Sequence, residues 1–258
     1  MKDYGLVSII TPSYNCAAFI GETIESILSQ TYENWELIIT DDCSTDNSCD
    51  VISEFCSKDQ RIKLLRLDKN SGAGVARNNS IKAAMGRYIA FCDSDDRWYP
   101  EKLARQLEYM DLKKCDLSHT SYMTCDEANL ITGIVVCRKR EDLSSMCKDD
   151  KMGFLTVIYD TERIGKVYMP ELRKRQDWAL KLRLLQACGV SFGMKEPLAY
   201  YRKRVGSISN DKRSLIKYNI AVYRTILGWS QLRANLYFYL VFMPTHLIKL
   251  LFLKYLNR

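Results

Sequence analysis

The sequence predicts an α/β fold in which a mostly parallel central sheet is flanked by helices. Three observations lead there. Over the first 115 residues, short apolar runs rich in β-branched side chains alternate with segments whose apolar residues recur at helical spacing. Four such strand–helix units in succession imply parallel strands covered on both faces. Polar clusters follow the first, second and fourth of these runs, and in parallel sheets ligands bind beyond the carboxyl ends of the strands. Finally, 47% of the 258 residues are hydrophobic, enough for a core and too many for a chain disordered throughout.

Residues 6–10 (LVSII) form the first predicted strand, which the Thr11-Pro12-Ser13 step ends. A helix follows over 19–28, with Ile20, Ile24, Ile27 and Leu28 on one face. Residues 35–40 (WELIIT) give the second strand, ending at Asp41-Asp42. Ser44, Thr45 and Asp46 are candidate caps for a helix whose stripe is Val51, Ile52 and Phe55. Residues 62–67 form a third strand. Gly72 and Gly74 open a helix to about Met85, Gly86 closes it, and 87–92 (RYIAFC) form a fourth strand. Pro100 fits the first turn of a helix running to Lys114. The stretch 117–170 is less periodic, with strands expected over 117–125 and 131–138 and a buried or extended segment over 152–159. Residues 177–187 are helical. The chain divides into a first half (1–115), a second half (116–205) and a basic amphipathic helical tail (206–258).

Charge is unevenly placed. Lys and Arg number 38 against 31 Asp and Glu, a formal +7. From residue 201 onward eleven basic residues face one acid, Asp211, so the tail carries +10 and the first 200 residues −3. A nucleic-acid-binding domain would carry its excess on the folded face that grips phosphate, so that class is disfavoured. Ten cysteines show no C-x-x-C pair, and only His119 and His246 accompany them, which argues against an ordinary zinc site. Cysteines within apolar runs behave as small buried hydrophobes and point to a reducing compartment. The apolar run at 6–10 is shorter than a signal-peptide core.

The acidic run Asp93-Ser94-Asp95-Asp96 is the densest cluster. Carboxylates crowded at a strand end raise one another's pKa unless a cation lies between them. Mg²⁺ or Mn²⁺ with phosphate oxygens is the natural partner, a capped turn the plain alternative. Asp41 and Asp42 precede the second helix by too much to cap it, and either can accept from a base N–H or a ribose hydroxyl. The Gly72-Ala73-Gly74 step lacks the third glycine of a dinucleotide fingerprint and the Gly-Lys-Ser/Thr of a P-loop. It does place Arg77 and Asn78 early in a helix, where anions are favoured. Asp177, after Arg173-Lys174-Arg175-Gln176, either complements a helix dipole or acts as a general base kept ionised by neighbouring cations.

Taken in order, residues 7–15 (VSIITPSYN), 41–46 (DDCSTD), 70–78, 93–96 and Gln176-Asp177-Trp178 resemble the family 2 glycosyltransferases of GT-A nucleotide-sugar-binding fold. The resemblance spans about residues 5–205. It implies an inverting, metal-dependent hexosyltransferase that uses Mn²⁺ or Mg²⁺ and a nucleotide-sugar donor, UDP-linked as a family-level expectation. The halves become a nucleotide-sugar-binding half and an acceptor-binding half carrying the base. Pro12, Tyr14 and Asp42 would line the uracil pocket, with Asn15 and Arg77 also on the nucleotide. Asp93 and Asp95 would be the paired acids, Asp95 or Asp96 the metal ligand, and Asp177 the base. Many members have Glu-Asp where this chain has Gln176-Asp177, which leaves the role of position 176 open.

Residues 198–210 (LAYYRKRVGSISN) resemble the corresponding stretch of enzymes that build bacterial surface polysaccharides on polyprenyl-diphosphate carriers. Arg202, Lys203 and Arg204 are there either a surface loop or contacts to diphosphate. The acceptor expected is a glycan or polyprenyl-diphosphate-linked sugar. In the tail, 236–243 (LYFYLVFM) is wholly apolar or aromatic, but the uncharged stretch between Arg233 and Lys249 is shorter than a spanning helix needs. Such helices suit the inner face of the cell membrane from the cytoplasmic side, packing on the catalytic domain, or a homodimer. Competing functions are a nucleotidyltransferase, which would release pyrophosphate and not need Asp177, and a non-catalytic membrane-surface binder, which would leave the aspartate clusters unused.

Overall fold

The structure, a computed structural model, describes residues 2–204 and 212–248. One ten-stranded sheet runs through both sequence halves. Its first part is the parallel layer expected: β1 (Val7–Ser13), β2 (Trp35–Asp41), β3 (Ile62–Arg66) and β4 (Tyr88–Phe91), in the order β3-β2-β1-β4. The connecting helices are α1 (Ala17–Leu28), α2 (Ser48–Lys58) and α3 (Ala73–Ala83). Because β2 and β3 lie on one side of β1 and β4 on the other, the chain changes direction between β1 and β4, where a crevice opens at the strand ends.

The second part is mixed, so parallel pairing is concentrated in the first half. β9 (Ile158–Asp160) pairs antiparallel with both β4 and β6 (Leu117–Cys125), and β10 (Val190–Arg202) lies parallel to β6. β7 (Ile131–Val135) and β8 (Arg140–Asp142) add antiparallel edges. A two-residue strand, β5 (Arg97–Trp98), pairs with Ala199 and Tyr200 of β10. The acidic turn 93–96 is therefore stretched between β4 and β5 and abuts the end of β10. Residues 198–202, for which the sequence left a surface loop or a diphosphate contact open, belong to β10. The strand takes up Pro197 by register shifts on either side of it, which broke the alternation that would have announced a strand. Pro100 lies outside the helix predicted to contain it: α4 (Lys102–Lys113) begins after Glu101, whose side chain makes no capping bond, and is closed by Lys114 in the left-handed conformation.

Two cores flank the sheet with the alternation of β structure. Val7, Ile9, Leu37, Ile39 and Ala90 face α1, α2 and α4, while Ile10, Ile38, Ile89 and Phe91 face the other side. That other side is covered by α3, α5 (Leu143–Lys148), α7 (Gln176–Cys188) and α8 (Lys212–Leu227); the four-residue α6 is Thr161–Ile164. Gly86 is needed where the chain enters β4, since a Cβ would stand 2.6 Å from Ser8 N and 2.7 Å from Leu6 O.

The tail is partly docked. Val222 and Tyr223 of α8 are fully buried, Tyr223 packs edge-on to Trp178 at 5.3 Å, and its hydroxyl donates to Cys147 O at 2.8 Å. α9 (Gln231–Tyr237) continues through a π-helical turn (Phe238–Phe242) and stays helical to residue 248. Ala234 and Phe238 are buried, while Leu232, Leu236, Tyr239, Leu240 and Leu247 are exposed. Among the described residues no helix is long and apolar enough to cross a membrane. Residues 205–211 and 249–258 of the expected tail, with the SISN segment, lie outside the described residues. All ten cysteines are free.

Candidate active site

A cleft of about 1110 Å³ opens beyond the end of β4 and the turn after β3. The turn after β3, the N-terminus of α3, the acidic turn, residues 150–155 and residues 170–177 form its walls. It brings Arg77, Asp93, Asp96 and Asp177 together from four separate sequence blocks.

The first two loops are fastened to each other. Asp41 accepts from Ser13 Oγ at 2.9 Å, from Ser44 N–H at 2.8 Å and from Ser44 Oγ at 2.5 Å. Asp46 does the capping: its Oδ1 accepts from Ser48 N–H at the start of α2, and its Oδ2 from Ala17 N–H at the start of α1. Asn15 takes the left-handed conformation, and its Oδ1 accepts from Thr45 N–H at 2.8 Å. That oxygen ties the two loops together and fixes Asn15, expected from sequence on the nucleotide, at the end of β1. Pro12 is buried at the end of β1 and Tyr14 is 48% exposed beside it. Asp42 is 3% exposed, and its carboxylate accepts from Ser71 N–H at 2.6 Å and Gly72 N–H at 2.7 Å. A carboxylate has about four lone-pair directions, so two acceptor positions remain beside those amides.

In the acidic turn the three aspartates have different surroundings. Asp93 pairs with Arg77 Nη2 at 2.5 Å. Arg77 is nearly buried, lies 5.1 Å from the Phe154 ring centroid, and keeps an Nε without a hydrogen-bond partner. Asp95 pairs with Arg204 Nη1 at 3.3 Å; burial and then the charge of Asp93 raise its pKa. Asp96 is 1% exposed, and burial, followed by Asp95 and Asp93, pushes its carboxyl well above the usual range. It accepts from Arg202 N–H at 3.0 Å, which pins the turn to β10.

Arg202 does not face the cleft, a correction to its reading as a diphosphate contact. Its side chain is 1% exposed and donates to Asp95 O, Glu127 O and Glu22 Oε2, the last at 2.7 Å. A guanidinium with so many fixed partners holds the acidic turn in place. Arg204 is the member of the basic run that reaches an acidic side chain of the turn.

Asp177 lies in the first turn of α7, with its side chain 43% exposed toward the cleft. Enclosure raises its pKa. Lys181, the Trp178 N–H, Arg175 and Arg77 more than offset this, so the carboxyl is held below the ordinary range and ionised at neutral pH. Of the basic run anticipated from sequence only Arg175 is among these causes, and the leading cation, Lys181, was not in that run. Lys181 Nζ is 3.8 Å from Asp177 Oδ2 and 2.6 Å from Asp150 Oδ2. The i,i+4 spacing of Asp177 and Lys181 was legible on the helix; Asp150, in an irregular segment, gave no sequence signal. Gln176 packs against the start of α3, where a Cβ on Gly74 would stand 2.5 Å from its amide, so position 176 joins two walls of the cleft.

Aspartates at the carboxyl ends of parallel strands, facing an ionised carboxylate across the cleft, define a site for transferring a group from a nucleotide-linked donor. Comparison with known proteins resolves the class: residues 8–154 match the Glycosyl transferase family 2 model, and the chain belongs to that family of glycosyltransferases. It is 41% identical over 222 residues to TuaG of Bacillus subtilis (strain 168), a glycosyltransferase named for teichuronic acid biosynthesis, covering 86% of this chain and 88% of that one. It is 38% identical over 207 residues to WfaP of Escherichia coli, named UDP-Glc:alpha-D-GlcNAc-diphosphoundecaprenol beta-1,3-glucosyltransferase, covering 80% of this chain and 81% of that one. Among solved structures, residues 1–349 of S. aureus TarS in complex with UDP-GlcNAc superpose with a TM-score of 0.69 at 22% identity, covering 88% of this chain and 69% of that one. That likeness shows the GT-A fold.

Proposed function

We propose that the chain moves a hexose from a UDP-sugar to a hydroxyl of a diphosphate-lipid-linked sugar, with inversion, during surface-polysaccharide synthesis. The observation that carries this reading is Asp177: an ionised, cleft-facing carboxylate across from the acidic turn. A sugar hydroxyl is a poor nucleophile. Asp177 accepts its proton as the oxygen attacks C1, help worth roughly 10²–10⁴ in rate. Attack opposite the leaving group turns an α-linked donor into a β-glycoside and needs no second carboxylate, unlike hydrolysis.

On the donor side, Pro12, Tyr14 and Asp42 form the base pocket, Asp93 takes the ribose, and Arg77, which lines the cleft, offers its positive charge to the diphosphate. Divalent metal use is common among glycosyltransferases of this fold. The residues fit such an ion: the turn presents only oxygen donors, and burial followed by the charge of Asp93 disfavours the ionised form of Asp95, a cost that a bound cation would offset. Among the described residues no three His, Cys, Asp or Glu side chains form a closed cage. Mg²⁺ or Mn²⁺ is commonly held by one or two carboxylates plus substrate phosphate. Asp95 is the proposed protein ligand, with Asp96 beneath it as the anchor of the turn. Bound there, the ion would neutralise charge on the departing nucleoside diphosphate.

The exposed stripe Leu232, Leu236, Leu240 and Leu247, with Tyr239 and the basic tail, supports a peripheral seat on the cytoplasmic face of the membrane that carries the proposed acceptor. A homodimer through the same face is the other use of that stripe. The test of function is a panel of UDP- and GDP-sugars assayed for nucleotide release with and without a lipid-linked sugar acceptor. Acceptor-dependent UDP release from one donor supports the reading; release of pyrophosphate, or no turnover with any pair, overturns it.

A further inference from the structure

Lys181 is an unusual side chain to find where it lies. The surrounding face of α7 is apolar, with Trp178, Ala179, Leu180, Leu182, Leu184 and Leu185 all buried, and Lys181 itself is only 1% exposed. A buried ammonium is costly unless its donors are met. Two are: Asp150 Oδ2 at 2.6 Å and Met152 O at 2.8 Å. Asp150 is fixed in turn by the Met152 N–H on its other oxygen, at 3.2 Å. The remaining near neighbour of the ammonium is Asp177 Oδ2, at 3.8 Å, close enough for charge attraction but beyond a hydrogen bond. The loop carrying Asp150 and Met152 is itself a wall of the cleft.

We infer that Lys181, gripped by Asp150, is a positioning residue for Asp177: it couples the 150–152 wall to the base helix and holds the base in its proton-accepting form. The inference rests on the reading of Asp177 as base. Packing volume alone does not call for a cation at 181, since methionine would fill it; the ammonium answers the Asp150 carboxylate and the Met152 carbonyl, and so stands beside Asp177. Because Asp150 and Met152 hold the ammonium, it stays in place when Asp177 becomes neutral on taking the acceptor's proton. Asp177 can then return to its ionised form without rearrangement. The charged and titratable groups facing Asp177 are Lys181 on its own helix, Asp150 from the cleft wall, Arg175 before α7, Arg77 from α3, and Tyr122 and Tyr201 from β6 and β10. Lys181 and Asp150 act on it with opposite sign.

The test compares Lys181→Met, Lys181→Arg, Asp150→Asn and Asp177→Asn in the full chain, measuring kcat against pH and UDP affinity. With Lys181→Met, the acid limb of kcat should move up by about 1–3 pH units, as expected for loss of a close opposite charge, with UDP affinity retained. Lys181→Arg should restore the limb toward wild type. Asp150→Asn should move the limb down or leave it below the accessible range, the reverse of Lys181→Met. An unshifted limb and unchanged kcat in Lys181→Met, with Asp177→Asn inactive, overturns the role of Lys181 and leaves the base intact. Near-normal turnover in Asp177→Asn removes the base itself. A Lys181→Met protein that has lost UDP affinity, together with an Asp150→Asn limb that moves up, also overturns the inference, because it marks a structural role.

Discussion

Replacing Arg202 by methionine tests how the acidic turn is held. The change removes three hydrogen bonds from a guanidinium whose side chain is 1% exposed: to Asp95 O at 2.9 Å, Glu127 O at 3.3 Å and Glu22 Oε2 at 2.7 Å. It also removes the cation 4.9 Å from the Phe19 ring centroid. Hydrogen bonds to charged donors contribute about 1.5–3 kcal/mol each. Glu22 is 39% exposed, so water compensates much of that pair and it counts for about 1 kcal/mol. The Glu127 contact is long and counts for less than the Asp95 one. The sum is a loss of about 3–5 kcal/mol, which for a domain of this size lowers Tm by roughly 6–20 °C. The backbone N–H of residue 202 still reaches Asp96, so the turn loosens without detaching. Thermal unfolding by circular dichroism with and without UDP and Mn²⁺ reads the first effect, and the Tm gap should persist in both conditions; steady-state kinetics reads the second, and the KM for the donor should rise. A Tm within about 2 °C of wild type with an unchanged KM, a shift under about 1 kcal/mol, would refute the claim that Arg202 holds the turn.

Three further outcomes follow from the same structure. Chelation with EDTA should stop transfer, and Mn²⁺ or Mg²⁺ should restore it; turnover indifferent to EDTA removes the metal from Asp95. In flotation with anionic liposomes the protein should rise with the vesicles, and Leu236→Glu combined with Leu240→Glu should leave it in the soluble fraction; a wild-type chain that stays soluble beside the vesicles contradicts the membrane reading. Lys102 is fully buried, and burial lowers its pKa from 10.5 to about 7. Between those values the unfolded chain binds the extra proton, so this group makes stability rise as pH increases above 7. Lys102→Met should flatten that rise in urea unfolding at pH 7 and 9 and stabilise the protein at pH 7 by about 1 kcal/mol or more; an unchanged slope contradicts the assignment.

How much of this was legible in the sequence follows from which signals are local. β1 to β4 and their helices were readable because each strand carries a short, mostly apolar run, with β-branched residues densest in β1 and β2, and the intervening helices α1 and α2 repeat an apolar face. The aspartate blocks were readable because they sit where those strands end. β10 was hidden by Pro197, and β5, two residues long, has no period to read. Arg202 carries its charge in a basic run that looks solvent-facing from sequence, and its contact with Glu22 joins residues 180 apart. Asp150 acquires meaning only when the fold brings it under Lys181. The tail's amphipathic character was visible, but not its division into a docked face around Tyr223 and an exposed stripe from Leu232 to Leu247. That division is settled by packing against Trp178 and Cys147, far away in the chain.

The central claim is that Asp177 takes the proton of the attacking hydroxyl. It is tested most directly by Asp177→Asn, with transfer to a lipid-linked acceptor and UDP binding measured on the same preparation. The amide keeps the size and position of the carboxylate and removes its basicity. Transfer should fall by about 10²–10⁴ while UDP affinity stays near wild type. Near-normal transfer by that variant would contradict the account.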